Sequence, residues 1–230
     1  MRQDPAALRP VTIQRRFTAS PAGSVLWTQG KTIVLATACV TPEVPPWFAE
    51  DRVGGWLTCE YVMLPASTPR RKAWPKTGHT DSRGTEIQRI IGRSLRAVVD
   101  LAKLGKNTIE IDCQVLQADG GTRTASICAA YVALRDALAT ISAPTALTDQ
   151  LAAVSVGVVD GQIILDLNYV EDSNAAVDMN VAYTAGGRFV EVQGSAEKGD
   201  GFDRGGLDAM LDLAAKGCKM LMELQSHALA

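Results

Sequence analysis

The sequence predicts an α+β fold in which a few helices pack on one face of a sheet. Three observations carry the prediction. Strand-like runs with a period of two recur along the chain. Helical stripes with i, i+3, i+4 spacing fall between them. Two hairpin signals occupy the C-terminal half.

Taken in order, Val11, Ile13 and Arg15 alternate with Thr12 and Gln14 and read as a strand. The runs 24–28 and 32–40 flank Gln29-Gly30, which suggests a hairpin. A further strand is expected over 54–62. Residues 65–84 hold three prolines and five basic side chains (Arg70, Arg71, Lys72, Lys76 and Arg83) without a period, so they read as a long exposed loop. A helix is expected over 85–101. Ile87, Ile90, Ile91, Leu95 and Val98 form its apolar stripe, and Arg89, Arg93 and Arg96 fall on the other side. Ile109, Ile111, Cys113 and Val115 alternate with polar residues as a strand. Then come a glycine-rich loop over 117–124 and a helix over 126–141, with Ile127, Ala130, Tyr131, Leu134, Leu138 and Ile141 on one face. Asp160-Gly161 suits a type I′ turn between 154–159 and 162–167. A second hairpin turns at Gly186-Gly187. A last amphipathic helix covers 207–224 and leaves His227 in a tail. Neither a linker nor an internal repeat interrupts the pattern, so residues 1–230 read as one domain.

The chain has 230 residues, 47% of them hydrophobic, which is ample for a buried core. Its net charge of −2 conceals an asymmetry. Residues 1–100 carry 14 basic against 8 acidic side chains, whereas residues 101–230 carry 9 against 17. That division fits a basic surface for a polyanion beside an acidic, metal-holding site, or simply two differently solvated faces. The five cysteines (Cys39, Cys59, Cys113, Cys128, Cys218) are odd in number and lack CxxC spacing, which argues against a zinc site or a disulfide framework. Cys113 and Cys128 read as small core residues. With only His79 and His227 available, a histidine triad or histidine metal cluster is not expected. The N-terminal residues lack the apolar segment of a secretory signal, and no apolar run approaches about 20 residues. The expectation is a soluble, cytoplasmic protein without membrane contact.

Three elements carry chemistry. The first is Gln117-Ala-Asp-Gly-Gly-Thr-Arg-Thr-Ala-Ser126, which leaves a strand and enters a helix. Its glycines let successive N–H groups converge, the helix start adds free N–H groups and positive dipole, and Arg123 adds a cationic fork. The sum is a pocket for phosphate, although a Walker A loop is absent and an ordinary tight turn would look similar. The second is the stretch 166–180, with acids at Asp166, Glu171, Asp172 and Asp178. Carboxylates gathered at strand ends can hold Mg²⁺ or move a proton; alternatively they are solvated loop acids. The third is Arg83, just ahead of the expected helix.

Several blocks together resemble the RNase PH family of bacteria. They are Leu8-Arg-Pro-Val-Thr-Ile13, the Glu86–Asp100 segment that begins Glu-Ile-Gln-Arg, Ile111–Ser126, Asp166–Asn180 and Arg188-Phe-Val-Glu-Val-Gln-Gly194. The resemblance covers nearly the whole chain in order. The chain departs from the family pattern at Pro5, Ala66 and Gly84.

The resemblance implies a two-layer α/β sandwich like the second domain of ribosomal protein S5, assembled as a homo-hexamer (a trimer of dimers). It implies a phosphorolytic 3′-to-5′ exoribonuclease that trims tRNA precursors and other structured RNAs, with inorganic phosphate as co-substrate, Mg²⁺ or Mn²⁺ as metal, and RNA, not DNA, as partner. By position, Arg83, Gly121, Thr122 and Arg123 would bind phosphate. Asp172 and Asp178 would be the catalytic and metal-binding acids. Arg70, Arg71, Lys72, Lys76, Arg89, Arg93 and Arg96 are the candidate RNA contacts. Two competing readings are a catalytically silent RNA-binding subunit of an exosome-like ring and a hydrolytic nuclease using only the acids and metal.

Overall fold

The strands sort into two sheets, not the one sheet that periodicity suggested. The computed structural model describes residues 4–49, 51–74, 81–198 and 201–230. The first sheet contains β1 (Val11–Arg15), β2 (Gly23–Gln29), β3 (Thr32–Thr41), β4 (Trp56–Met63) and β5 (Thr108–Gln117), in the order β1-β2-β3-β5-β4. Its pairings are antiparallel except β4 with β5. Parallel strands need a crossover, and α1 (Ser82–Arg96) lies within it. The second sheet is antiparallel throughout. It orders β6 (Leu151–Val159), β7 (Gln162–Leu165), β8 (Val177–Thr184) and β9 (Phe189–Ala196) as β7-β6-β8-β9. The three expected hairpins form. Asp160 and Gly161 both have positive φ, 50° and 77°, as a type I′ turn requires.

The helix α2 (Thr122–Thr140) joins the two sheets into one core. It packs on β2, β3 and β5 of the first sheet and on β6 of the second. The sequence suggested one apolar face. Instead the helix is buried without a break from Thr124 to Leu134. Alanines at 125, 129, 130, 133 and 137 fill the sides between Ile127, Tyr131, Leu134 and Leu138, and a helix apolar all round belongs in an interior. A single hydrophobic cluster therefore runs through both sheets.

The last helix, α4 (Arg204–Leu229), extends past the expected end, so His227 sits in an exposed helical turn and not in a tail. Two contacts explain the extension. Gln225, wholly buried, donates Nε2 to the carbonyls of Cys128 and Leu151, both at 3.2 Å. Arg15 pairs with Asp136 of α2 at 2.6 Å and donates to the Ala228 carbonyl at 2.8 Å. The stretch 65–74 forms neither helix nor strand, as expected. Lys76 and His79 lie outside the described residues. All five cysteines are unpaired. Burial pushes the Cys113 and Cys128 thiols up to about 12, consistent with packing residues. No helix among the described residues is long and apolar enough to cross a membrane.

Candidate active site

The glycine-rich loop ends in the open start of α2. Gly120 and Gly121 take φ of 76° and 63°, and Gly121 is the N-cap residue. A glycine N-cap has no side chain to offer, and none caps the helix. The N–H groups of Thr122, Arg123 and Thr124 are the first of the helix and so lack intrahelical acceptors. They give α2 an anion-accepting mouth. Thr122 Oγ1 accepts a hydrogen bond from the Tyr61 hydroxyl at 2.9 Å. Arg123, half-buried, donates Nη1 to Gln193 Oε1 of β9, and Gln193 in turn donates to Glu86 of α1 at 2.8 Å.

Behind this mouth the loop is braced. Arg9 donates Nη1 to the Asp119 carbonyl at 2.6 Å and Nη2 to Asp166 Oδ1 at 2.6 Å, while its backbone N–H reaches Asp166 Oδ2 at 2.8 Å. Thr32 donates to the Gly120 carbonyl at 2.6 Å and accepts from the Asp119 N–H at 3.0 Å. On its other side Gly120 lies against the backbone of 167–169: an added Cβ would stand 2.7 Å from Asn168 C and 2.9 Å from Tyr169 N. That contact sets the loop beside α3 (Tyr169–Asn174), a short helix where the sequence reading left a loop.

The four acids of 166–180 divide by role. Asp166 is buried against Arg9. Glu171 completes a capping box with Asn168, accepting its N–H at 2.9 Å while Asn168 accepts from Glu171 N at 3.0 Å. Asp172, one residue further along α3, and Asp178 of β8 remain, both half-buried. Burial raises the pKa of Asp172 above the usual carboxylate value; Arg123 and Arg83 pull it back and Glu197 pushes it further up. Asp178 is raised by burial, then by Asp172 and Glu197, with Arg123 opposing. Arg123 and Glu197 thus act on both acids, Asp172 acts on Asp178, and Arg83 acts on Asp172. Arg83 lies in the first turn of α1 instead of ahead of it.

Among the described residues, no group of three or more His, Cys, Asp or Glu side chains is arranged to hold a metal. Asp172 and Asp178, two half-buried carboxylates of raised pKa, nevertheless fit Mg²⁺, which keeps several waters and needs only one or two protein carboxylates.

The candidate RNA contacts differ in their surroundings. Arg70, Arg71 and Arg89 are exposed. Lys72 is half-buried, with Nζ 3.4 Å from Met63 Sδ. Arg93 pairs with Glu191 at 2.8 Å, tying α1 to β9. Arg96 donates to the Leu57 carbonyl at 3.1 Å and lies 5.2 Å over the Trp56 ring.

Comparison with known proteins shows the family. Residues 7–140 match domain 1 of the 3′ exoribonuclease family, RNase PH type, and residues 149–217 match its domain 2. The chain belongs to the 3′ exoribonuclease family. Within that family it is 54% identical over 230 residues to Ribonuclease PH of Nocardia farcinica, covering 97% of this chain and 89% of that protein. It is 55% identical to Ribonuclease PH of Mycobacterium tuberculosis, covering 97% and 88%. Two solved structures share the fold at low identity. Rice Rrp46 has a TM-score of 0.79 at 21% identity, covering 99% of this chain and 98% of that one. A chain of the Archaeoglobus fulgidus exosome with RNA bound to the active site has a TM-score of 0.79 at 22% identity, covering 96% and 90%. The resemblance seen in the sequence is thus established over nearly the whole chain, as is the mixed α/β fold it implied. As a 3′ exoribonuclease family member the chain is an enzyme.

Sequence reasoning overlooked Arg9, Thr32, Tyr61 and Gln193 as hydrogen-bond partners of the glycine-rich loop and the first turn of α2. Tyr61 carried one signal: it follows Leu57 and Cys59 on the buried face of β4, and a buried phenol needs a partner.

Proposed function

We propose that this chain shortens RNA from the 3′ end by phosphorolysis, releasing nucleoside 5′-diphosphates, with tRNA precursors and other structured RNAs as substrates. One observation carries the reading. The uncapped mouth of α2, an anion seat, lies beside two arginines and two carboxylates of raised pKa. A hydrolytic nuclease would have no use for the first of these, and a silent ring subunit no use for the last. The loop and the acids are both present, which disfavours both alternatives.

In this reading inorganic phosphate rests on the N–H groups of Gly121, Thr122 and Arg123, with Arg83 and Arg123 neutralising it. One phosphate oxygen attacks the terminal phosphodiester in line. A new P–O bond forms, the bond to the 3′ oxygen breaks, and that oxygen takes a proton to become the 3′-hydroxyl of the shortened RNA. Asp178 is the acid we assign to supply the proton; burial, Asp172 and Glu197 raise its pKa above the ordinary carboxylate value. Asp172 and Asp178 would hold Mg²⁺ or Mn²⁺, which when bound offsets charge in the transition state. The reaction exchanges one phosphoester for another and therefore also runs backward from nucleoside diphosphates.

The RNA contacts we assign are Arg70, Arg71, Lys72, Lys76 and Arg89, with Arg93 and Arg96 acting mainly as braces. The assembly we propose is a ring, specifically a homo-hexamer built as a trimer of dimers, acting in the cytoplasm. The deciding experiment incubates a tRNA bearing extra 3′ nucleotides with and without phosphate and identifies the products by mass. Nucleoside 5′-diphosphates that appear only with phosphate are expected. Monophosphates formed without phosphate would mean hydrolysis.

A further inference from the structure

We propose that Tyr61 is a positioning residue for phosphate: its phenol, 2.9 Å from Thr122 Oγ1, fixes the Thr122 hydroxyl as a hydrogen-bond donor to the bound anion. The inference rests on the phosphorolytic reading and adds to it a residue outside the phosphate loop.

The residues of β4 alternate, and Leu57, Cys59 and Tyr61 point into the core. Tyr61 is buried, and its hydroxyl ends at the first residue of α2. A buried phenol must find a polar partner, and here the partner is Thr122 Oγ1.

Direction follows from acidity. A phenol is a far stronger acid than an aliphatic alcohol, so Tyr61 donates and Thr122 accepts. A threonine hydroxyl has one hydrogen and two acceptor positions. With one acceptor position taken by Tyr61, its hydrogen is left for another group. The Thr122 carbonyl already accepts from Ser126 Oγ at 2.8 Å, so the backbone at this turn is served without the Thr122 hydroxyl. An anion at the helix mouth is the acceptor that completes the chain from Tyr61 through Thr122 to phosphate. Hydrogen bonds in such a series strengthen one another.

The surroundings keep the chain polarised in that direction. Burial raises the Tyr61 pKa, so the phenol keeps its proton across the physiological range. Arg83 and Arg123, the cations assigned to phosphate, act on it in the opposite sense. Phenylalanine would fill the same space in β4 and remove only the donor.

The test is a double-mutant cycle on the full chain. Phosphorolysis of a 3′-extended tRNA is measured against phosphate and against RNA concentration for the parent, Tyr61→Phe, Thr122→Val and the double variant. Tyr61→Phe should raise KM for phosphate about 3- to 10-fold, the range of one hydrogen bond, and leave KM for RNA unchanged. The double variant should match Thr122→Val alone, because Tyr61 acts only through that hydroxyl. Thr122→Ser, which keeps the hydroxyl, should restore both the phosphate KM and its sensitivity to Tyr61→Phe.

A Tyr61→Phe enzyme with the parent's phosphate KM would overturn the proposal, whether or not its melting temperature fell. So would effects that multiply in the double variant. If Tyr61→Phe cannot be purified folded, Thr122 decides alone: a Val variant with the parent's phosphate KM sinks the idea. A parent enzyme that digests RNA equally well without phosphate would instead refute phosphorolysis itself.

Discussion

Arg9 and Asp166 form a buried ion pair, 2.6 Å between Nη2 and Oδ1, behind the glycine-rich loop. The two residues adjoin strands of different sheets. Arg9 precedes β1 of the first sheet, and Asp166 follows β7 of the second. The same guanidinium holds the Asp119 carbonyl, so one side chain joins both sheets to the loop. Removing one member of a buried pair leaves the other charge unpaired, at a cost of about 3–5 kcal/mol. Asp166→Asn and Arg9→Met should each lower stability by that order in chemical denaturation. We also propose that residues 1–230 unfold as one unit, because α2 and this pair are shared by both sheets. Fluorescence and circular dichroism should then report one coincident transition, and separate midpoints for the two sheets would refute it.

Gly120 tolerates no side chain. Its φ of 76° is left-handed, which alone costs another residue about 1–2 kcal/mol. An added Cβ would also press on the backbone of 168–169, which leads directly into α3 and Asp172. Gly120→Ala should therefore damage both phosphate binding and the placement of Asp172. Steady-state kinetics should show KM for phosphate rising and kcat falling together. The same change at Gly161, where a Cβ meets nothing within 4 Å, should leave both constants intact.

Arg123 is held in a chain with Gln193 and Glu86. Loss of a charge-assisted hydrogen bond to phosphate is worth roughly 1.5–3 kcal/mol, or about 10- to 150-fold in affinity. Arg123→Ala should raise the phosphate KM by that factor and change RNA affinity little. Gel-shift titration without phosphate gives the second quantity.

Much of this architecture was legible in the chain. Periodicity located the long helices and the hairpins, because burial on one face writes itself into local spacing. What it could not reveal was which strands share a sheet, since pairing β3 with β5 joins residues far apart in sequence. It also misjudged α2, whose alanines look neutral one at a time and only show their use between two sheets. At the site, Gly121, Thr122 and Arg123 stood out because loop and helix start adjoin in sequence. Arg9 did not, because its partners Asp119 and Asp166 lie 110 and 157 residues away. By residue type the acids of 166–180 look alike, and only the resemblance singles out Asp172 and Asp178. The capping box of Glu171 and the ion pair of Asp166 give a physical reason for that division.

The raised pKa values of Asp172 and Asp178 carry a stability consequence. In the window between the ordinary carboxylate value of 3.8 and the raised one, the folded protein binds more protons than the unfolded chain. Stability must then fall as pH rises through that window, and the charged acids cost stability above it. In metal-free buffer at pH 7, Asp178→Asn should melt at a higher temperature than the parent while losing activity. Below pH 3.8 the two melting curves should converge. A variant that melts lower at pH 7 would show that Asp178 is stabilising as an anion.

Arg71 and Arg96 belong to one basic population in the sequence but meet different fates in the fold. Arg71 is exposed on the stretch after β4, whereas Arg96 packs over Trp56 and serves the Leu57 carbonyl. A phosphate contact contributes to the salt dependence of RNA binding, with a slope near −0.7 per contact for a single strand. Arg71→Ala should therefore weaken RNA binding, flatten the plot of log affinity against log salt by about one contact, and leave melting unchanged. Arg96→Ala should do the reverse. It removes a cation–π contact and a hydrogen bond, together worth about 1–2 kcal/mol, and should lower the melting temperature with the salt slope preserved. Filter binding across a salt series, run beside thermal denaturation of each variant, separates the two; a flattened slope in Arg96→Ala would return that residue to the RNA-binding surface.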